Sequence, residues 1–295
     1  MITNIKHLCY VLKTDINTIE NIIDNIDNYY ITWEKKKLNK DTNLPILENG
    51  KPKIRQLNST KIELKKIQKR IYKFLLANVK LPEYAYGGVP KRDNAINAKQ
   101  HQGNKFIFTT DLKSYFPSIS HNQVFSMFLE LGISPTISRI LTQLTTYKYQ
   151  VPQGVPTSTL IANLVFKKTG DKILKFAESN QIKFTTFVDD ITLSSKSDFK
   201  SQIPEVLEIL TNDSYKISHK KTAYKTKNPM ITGVICQNDK LKLDNHVYKR
   251  ISRLKKQRQF EPDNTIIENK LKGLSQYRKR VDDTNKHKTH LIPMK

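Results

Sequence analysis

The chain has 295 residues and a formal net charge of +24, from 51 Lys and Arg against 27 Asp and Glu. Hydrophobic residues make up 37% of it and aromatics 9%, enough for a core, which excludes a wholly disordered basic tail. No stretch approaches the ~18 uninterrupted apolar residues of a membrane span, so the expected partner is a polyanion and not a bilayer.

In chain order, Ile2, Ile5, Leu8, Leu12, Ile16, Ile19, Ile23 and Ile26 recur at helical spacing and predict one or two amphipathic helices. The apolar run Leu8 to Leu12 is too short for a signal-peptide core. With only two cysteines, Cys9 and Cys236, it points to the reducing cytoplasm. Trp33 to Arg55 is basic and irregular and reads as strands with a loop at Leu47–Lys51. Ile62 to Leu76 reads as a helix with Leu64, Ile67, Ile71, Phe74 and Leu75 inward. Glu83 to Gly103, with Gly87–Gly88 and Pro90, reads as a loop.

Phe106 to Thr110 is a β-branched and aromatic run ending at Asp111, and predicts a buried strand. Ser158 to Asn180 predicts a long helix with Ser158 as its N-cap. Lys183 to Ser194 reads as a strand, a tight acidic turn and a second strand, and Ile203 to Leu210 as a helix. Met230 to Leu243 predicts a hairpin turning near Asn238–Asp239. From His246 onward there are 14 Lys and Arg against 5 Asp and Glu, with helical spacing at Ile251, Leu254, Ile266, Ile267, Leu271 and Leu274. Neither a repeat nor a Pro- or Gly-rich linker divides the chain, so interwoven subdomains are expected rather than beads on a string.

The chemistry is concentrated in three short segments. Phe187-Val188-Asp189-Asp190 sets two carboxylates at the apex of a strand–turn–strand, where they repel unless a cation neutralises them. A solvated turn is the plain alternative, because Asp is common in turns. If the strand ending at Asp111 lies beside this hairpin, three carboxylates converge at one sheet edge. Hard oxygen donors of this kind suit Mg²⁺. Two such ions about 3.5–4 Å apart serve phosphoryl transfer. The third segment, Val151-Pro152-Gln153-Gly154-Val155-Pro156-Thr157-Ser158, is a shaped loop before the long helix, and Gln153 could contact a nucleotide or a template base.

In order and spacing these segments resemble motifs A, B and C of reverse transcriptases, over about Trp33 to Leu243. Within that superfamily the chain most resembles the bacterial retron-type enzymes. Asn97-Ala98-Lys99-Gln100-His101 matches their Asn-Ala-x-x-His element, and Ile231-Thr232-Gly233 resembles their Val-Thr-Gly element. Phe187-Val188 departs from the usual Tyr-Ala before the paired Asp.

The resemblance implies an α+β right-hand polymerase with an antiparallel palm sheet. Residues 1–105 would form N-terminal helices and fingers, 106–243 the palm interleaved with fingers at motif B, and 244–295 a basic helical thumb. It implies RNA-directed DNA polymerase activity, with Asp111, Asp189, Asp190 and the Leu112 carbonyl binding two Mg²⁺. Arg55, Lys35 (or its neighbours Lys36 and Lys37), Phe116 as a sugar-selecting steric gate, Gln153 and Lys221 would bind the dNTP. For Phe116 an ordinary core role, and for Lys221 a solvated basic turn, stand as alternatives.

Asn97, His101, Ile231, Thr232, Gly233, Arg250, Arg253 and Tyr277 would meet RNA or primer, although His101 suits a structural role in its loop as well. The implied partners are a structured noncoding RNA that is template and primer, its DNA product, dNTPs and an effector protein, in anti-phage defence. A defence-associated reverse transcriptase making untemplated or differently templated DNA stays open, as does an inactive RNA-binding scaffold.

Overall fold

The computed structural model describes residues 2–39, 42 and 44–286. The chain divides into two compact units, Met1–Pro82 with Ser114–Gly170 and Glu83–Lys113 with Asp171–Lys295. It passes between them three times, the interwoven organisation that the missing linkers predict. Residues 287–295 of the basic C-terminal segment lie outside the described residues.

The first unit begins with α1 (Ile5–Leu12) and α2 (Ile16–Asp24), whose N-caps Asn4 and Asp15 accept from the His7 and Thr18 amides. Lys13 breaks the helix in a left-handed conformation, φ +47°. The second helix therefore starts a new phase and buries Ile22 more deeply than Ile23. Next come β1 (Tyr30–Lys36), β2 (Leu47–Glu48), β3 (Lys51–Pro52) and β4 (Ile54–Thr60). β1 and β4 form an antiparallel ribbon from Tyr30↔Thr60 to Lys36↔Ile54. The expected loop at Leu47–Lys51 is the tip of the small β2–β3 hairpin.

Helix α3 (Ile62–Asn78) buries Leu64, Ile67, Ile71 and Leu75 as the periodicity predicts. It also buries Gln68, because a polar network is waiting for it. The Gln68 amide donates to Tyr30 Oη at 3.2 Å and the Leu144 carbonyl at 3.0 Å, and accepts from Thr60 Oγ1 at 3.2 Å. The hydrogen bonds of this buried amide offset the cost of its desolvation.

The chain enters the second unit with α4 (Asn94–Lys99) and β5 (Phe106–Asp111). Helix α4 lies in the stretch read as loop; six residues are too few to show a periodicity, but Asp93 caps it by accepting from the Ile96 amide at 2.8 Å. The chain returns to the first unit through α5 (Tyr115–Ser118), α6 (His121–Glu130) and α7 (Pro135–Thr145). The long α8 (Ser158–Ser179) then leads back to the second unit.

There β6 (Lys183–Phe187), β7 (Asp190–Ser195), α9 (Ile203–Asn212) and β8 (Ala223–Lys225) follow. The strands form one antiparallel sheet in the order β6-β7-β5-β8. A smaller sheet of β9 (Met230–Ile231), β10 (Val234–Cys236) and β11 (Leu241–Leu243) follows, turning near Asn238 as expected but with an extra tight turn at Thr232–Gly233. The basic helices α10 (Asn245–Phe260) and α11 (Thr265–Lys286) pack Val247, Ile251, Leu254, Ile267, Leu271 and Val281 into one apolar cluster with this sheet. No helix among the described residues is long and apolar enough to cross a membrane.

Candidate active site

The acidic residues meet through strand register. β5 and β7 pair antiparallel with Asp111 directly opposite Asp190, and Asp189 precedes Asp190 in the two-residue turn from β6. Further backbone bonds fix the edge: the Leu112 amide donates to the Asp189 carbonyl at 3.0 Å and the Ser218 amide to the Asp111 carbonyl at 2.8 Å. The first turn residue, Val188, has φ +60°, a left-handed conformation that is an outlier for a β-branched side chain. Such strain is of order 1–3 kcal/mol and persists only where surroundings over-determine it.

Gly87 is part of those surroundings. A Cβ there would stand 2.5 Å from the Val188 nitrogen. Segment 84–86 runs beside β6 with mutual bonds between Tyr86, Thr186 and Tyr84 at 2.8 Å. In the sequence Gly87 is marked only by the pair Gly87–Gly88 in a loop-like stretch.

Asp190 is pushed up to about 7, first by burial and then by the charges of Asp189 and Asp111, with Lys221 opposing. That is the behaviour of a carboxylate cluster short of positive charge. Lys221 supplies one cation, its ammonium meeting Asp111 Oδ1. The resemblance implies Lys221 at the pyrophosphate, with a solvated turn as the alternative; in the structure it is paired to a carboxylate. Among the described residues no group of three or more His, Cys, Asp or Glu is already drawn together as a metal cage. The donor chemistry nevertheless fits a divalent cation: all-oxygen, anionic, convergent at one strand edge and under mutual repulsion.

The residues expected at the nucleotide lie in the first unit, apart from Lys221. Lys35 and Arg55 are directly opposite across the β1–β4 ribbon and so share a face, whereas Lys36 pairs with Ile54. Both are exposed. Two opposed cations are unfavourable unless an anion joins them; the register sets Lys35, and not Lys36, opposite Arg55.

The Gln153 loop is fastened to the same ribbon. The Asn58 amide donates to the Gln153 carbonyl at 2.8 Å, and Asn58 Oδ1 accepts from Thr32 Oγ1 at 2.8 Å. Gly154 allows the approach, with φ +114° and space for a Cβ closed by the Asn58 oxygen at 2.7 Å. Ser158 is the first residue of α8 rather than its cap; its hydroxyl donates to the Pro152 carbonyl at 2.5 Å and closes the loop on itself. Phe116 is half-buried, tilted against Tyr115, whose hydroxyl donates to the Ala162 carbonyl at 2.9 Å.

The third group gathers around helix α4 and the turn that follows it. His101 is completely buried, with ring nitrogens 2.7 Å from Ser194 Oγ and from Thr185 Oγ1. Burial, helped by Lys183, pulls its pKa down to about 3. A neutral ring with both nitrogens engaged has no face for RNA, so His101 ties the loop to β6 and β7. Asn97 and Ile231 are likewise buried.

Thr232 and Gly233 are accessible, in a turn with φ +47° and +86°. Asn94, which belongs to none of the motifs, joins this turn to α11. Its amide donates to the Thr232 carbonyl at 3.0 Å and to Tyr277 Oη at 2.7 Å. Asp93 adds an ion pair to Arg280 at 2.6 Å. Tyr277 is therefore half-buried and engaged, whereas Arg250 and Arg253 on α10 are exposed.

Residues 35–259 match the reverse transcriptase (RNA-dependent DNA polymerase) family. The chain is 28% identical to the Retron Ec86 reverse transcriptase of Escherichia coli over 256 residues, 85% of this chain and 77% of the relative. It is 34% identical to the Retron Se72 reverse transcriptase of Salmonella heidelberg, over 60% of this chain and 47% of the relative. A third relative, the Retron Ec48 reverse transcriptase of Escherichia coli, is 30% identical over 75% of this chain and 55% of its own length. The chain belongs to the reverse transcriptase family, among the retron-type enzymes, and is an RNA-directed DNA polymerase.

Proposed function

We propose that the chain extends a 3′- or 2′-hydroxyl primer on a structured noncoding RNA and makes RNA-linked single-stranded DNA. The observation that carries this reading is Asp111 facing Asp190 across β5 and β7 with Asp189 beside it. In a right-hand assignment, the four-stranded sheet is the palm, the β1–β4 ribbon belongs to the fingers, and α10 and α11 form the thumb.

Asp111, Asp189, Asp190 and the Leu112 carbonyl would hold two Mg²⁺, which when bound lower the pKa of the attacking hydroxyl and neutralise the leaving pyrophosphate. The protein's own residues do the positioning. Arg55 offers a bidentate fork and Lys35 a point charge on the same ribbon face, the pairing a triphosphate takes. Gln153 sits on a loop held by Asn58, and Phe116 would exclude a 2′-hydroxyl. Lys221, already at Asp111, is placed in this reading to pass a proton towards the leaving group.

The turn at Thr232–Gly233 would grip the primer end, with Asn97 and Ile231 shaping it from beneath. Arg250 and Arg253 would meet duplex phosphates. The setting is the bacterial cytoplasm, with the product serving anti-phage defence beside an effector protein.

The test is dNTP incorporation by purified protein with its co-expressed RNA in Mg²⁺, followed by sequencing of the co-purifying nucleic acid. Asp189→Asn should abolish incorporation. Persistent polymerisation, or a homopolymer in place of a branched product, would count against the reading.

A further inference from the structure

Helix α3 carries a lysine face that the polymerase assignment leaves unused. At ~100° per residue, Lys66, Lys69 and Lys73 fall within about 60° of one another, with Lys65 alongside. They lie opposite the buried Leu64, Ile67, Gln68, Ile71 and Leu75. All four lysines are exposed. Arg70 on the same helix is spent internally, its guanidinium donating to the Leu12 and Lys13 carbonyls.

Among the described residues none of the four lysines has an ion-pair partner. The helix supplies almost none: only Glu63 lies within one turn of Lys66, and no acid lies within one turn of Lys65, Lys69 or Lys73 on either side except Glu63 near Lys65. Lys65–Lys69 and Lys69–Lys73 are like-charged i,i+4 pairs, which oppose the helix. The basic helix α11 is arranged differently, with Arg278–Asp282 and Lys286–Asp283 pairs along it. A face uncompensated within its own helix is electrostatically complementary to a polyanion.

We propose that the Lys65-Lys66-Lys69-Lys73 face of α3 is a docking surface for the phosphate backbone of structured RNA. It is distinct from the residues assigned to metal, nucleotide and primer, and it rests on the polymerase reading only for the class of partner. Ammonium groups over two helical turns, about 10 Å, address phosphates. The stripe carries no amide or guanidinium to read base edges, so the contact positions RNA without selecting its sequence.

The experiment compares the full-length protein with a Lys66→Gln, Lys69→Gln, Lys73→Gln variant, Gln being nearly as good a helix former as Lys. The probe is a labelled RNA stem-loop, with affinity measured against salt. Three lost phosphate contacts should flatten the slope of log K against log salt by about 2–3. Between about 50 and 200 mM that is a salt effect smaller by roughly 16- to 64-fold. The corresponding triple Arg variant should keep the parental slope.

An unchanged slope in the Gln variant, with circular dichroism showing it folded, would overturn the proposal. So would loss of incorporation on a short pre-annealed primer–template, since the face would then belong to the catalytic track. Asp189→Asn should retain the slope and lose incorporation, so the two readings fail separately.

Discussion

Gly154 is where a single methyl group should report on the junction between the Gln153 loop and the β1–β4 ribbon. Its φ of +114° lies where L side chains rarely go, and an added Cβ would stand 2.7 Å from the Asn58 oxygen, a backbone atom unable to swing aside. For Gly154→Ala the backbone conformation costs about 1–3 kcal/mol. Displacing Asn58 weakens its bond to the Gln153 carbonyl, worth about 1 kcal/mol. Reduced entropy of the unfolded chain returns about 0.5–1 kcal/mol.

The net loss is roughly 1–3.5 kcal/mol, or about 2–14 °C in Tm for a chain of this size. Two other glycines make the internal comparison. Gly50 has φ +74° with nothing within 4 Å, so Gly50→Ala carries only the conformational term. Gly273 is helical with open space around it, so Gly273→Ala should stabilise by about 0.5–1 kcal/mol. Thermal unfolding by circular dichroism ranks the three, and the KM for dNTP should rise for Gly154→Ala alone. If Gly154→Ala loses no more than Gly50→Ala, the close approach to Asn58 is not what requires the glycine.

Other outcomes follow from the same geometry. Phe116→Ala should lower discrimination against rNTPs by about 10- to 100-fold in competition assays, and unchanged sugar selectivity removes the gate role. His101 is held neutral with its pKa near 3, so protonation favours the unfolded chain. Its stabilising contribution is complete above the unfolded value near 6.5 and declines as pH falls below it. About 2 kcal/mol should be lost by pH 5 in denaturant titrations, with a flatter acid limb in His101→Gln. Asn94→Ala removes two donors and should cost about 1–2 kcal/mol, seen as faster hydrogen exchange in α11 and at the Thr232–Gly233 turn.

Much of the chemistry is local and therefore legible in order along the chain. Paired Asp at a hairpin apex, a strand ending at Asp111, a Pro- and Gly-shaped loop before a long helix and the apolar periodicity of α3 and α8 depend on neighbours a few residues away. The short α4 is not legible that way, and the break at Lys13 shifts the inward residue of α2 to Ile22.

Tertiary structure decides what spacing cannot encode. The register of β5 on β7 brings Asp111 to Asp190, and that of β1 on β4 sets Lys35, and not Lys36, opposite Arg55. Packing turns His101 from a motif residue into a buried bridge between two hydroxyls, and gives Lys221 to Asp111. The physical reason is that charge and residue type travel with the sequence, whereas pairing, burial and the field at a carboxylate belong to residues brought together from far apart along it. The charge of +24 announced a polyanion; the facing carboxylates came only with the sheet.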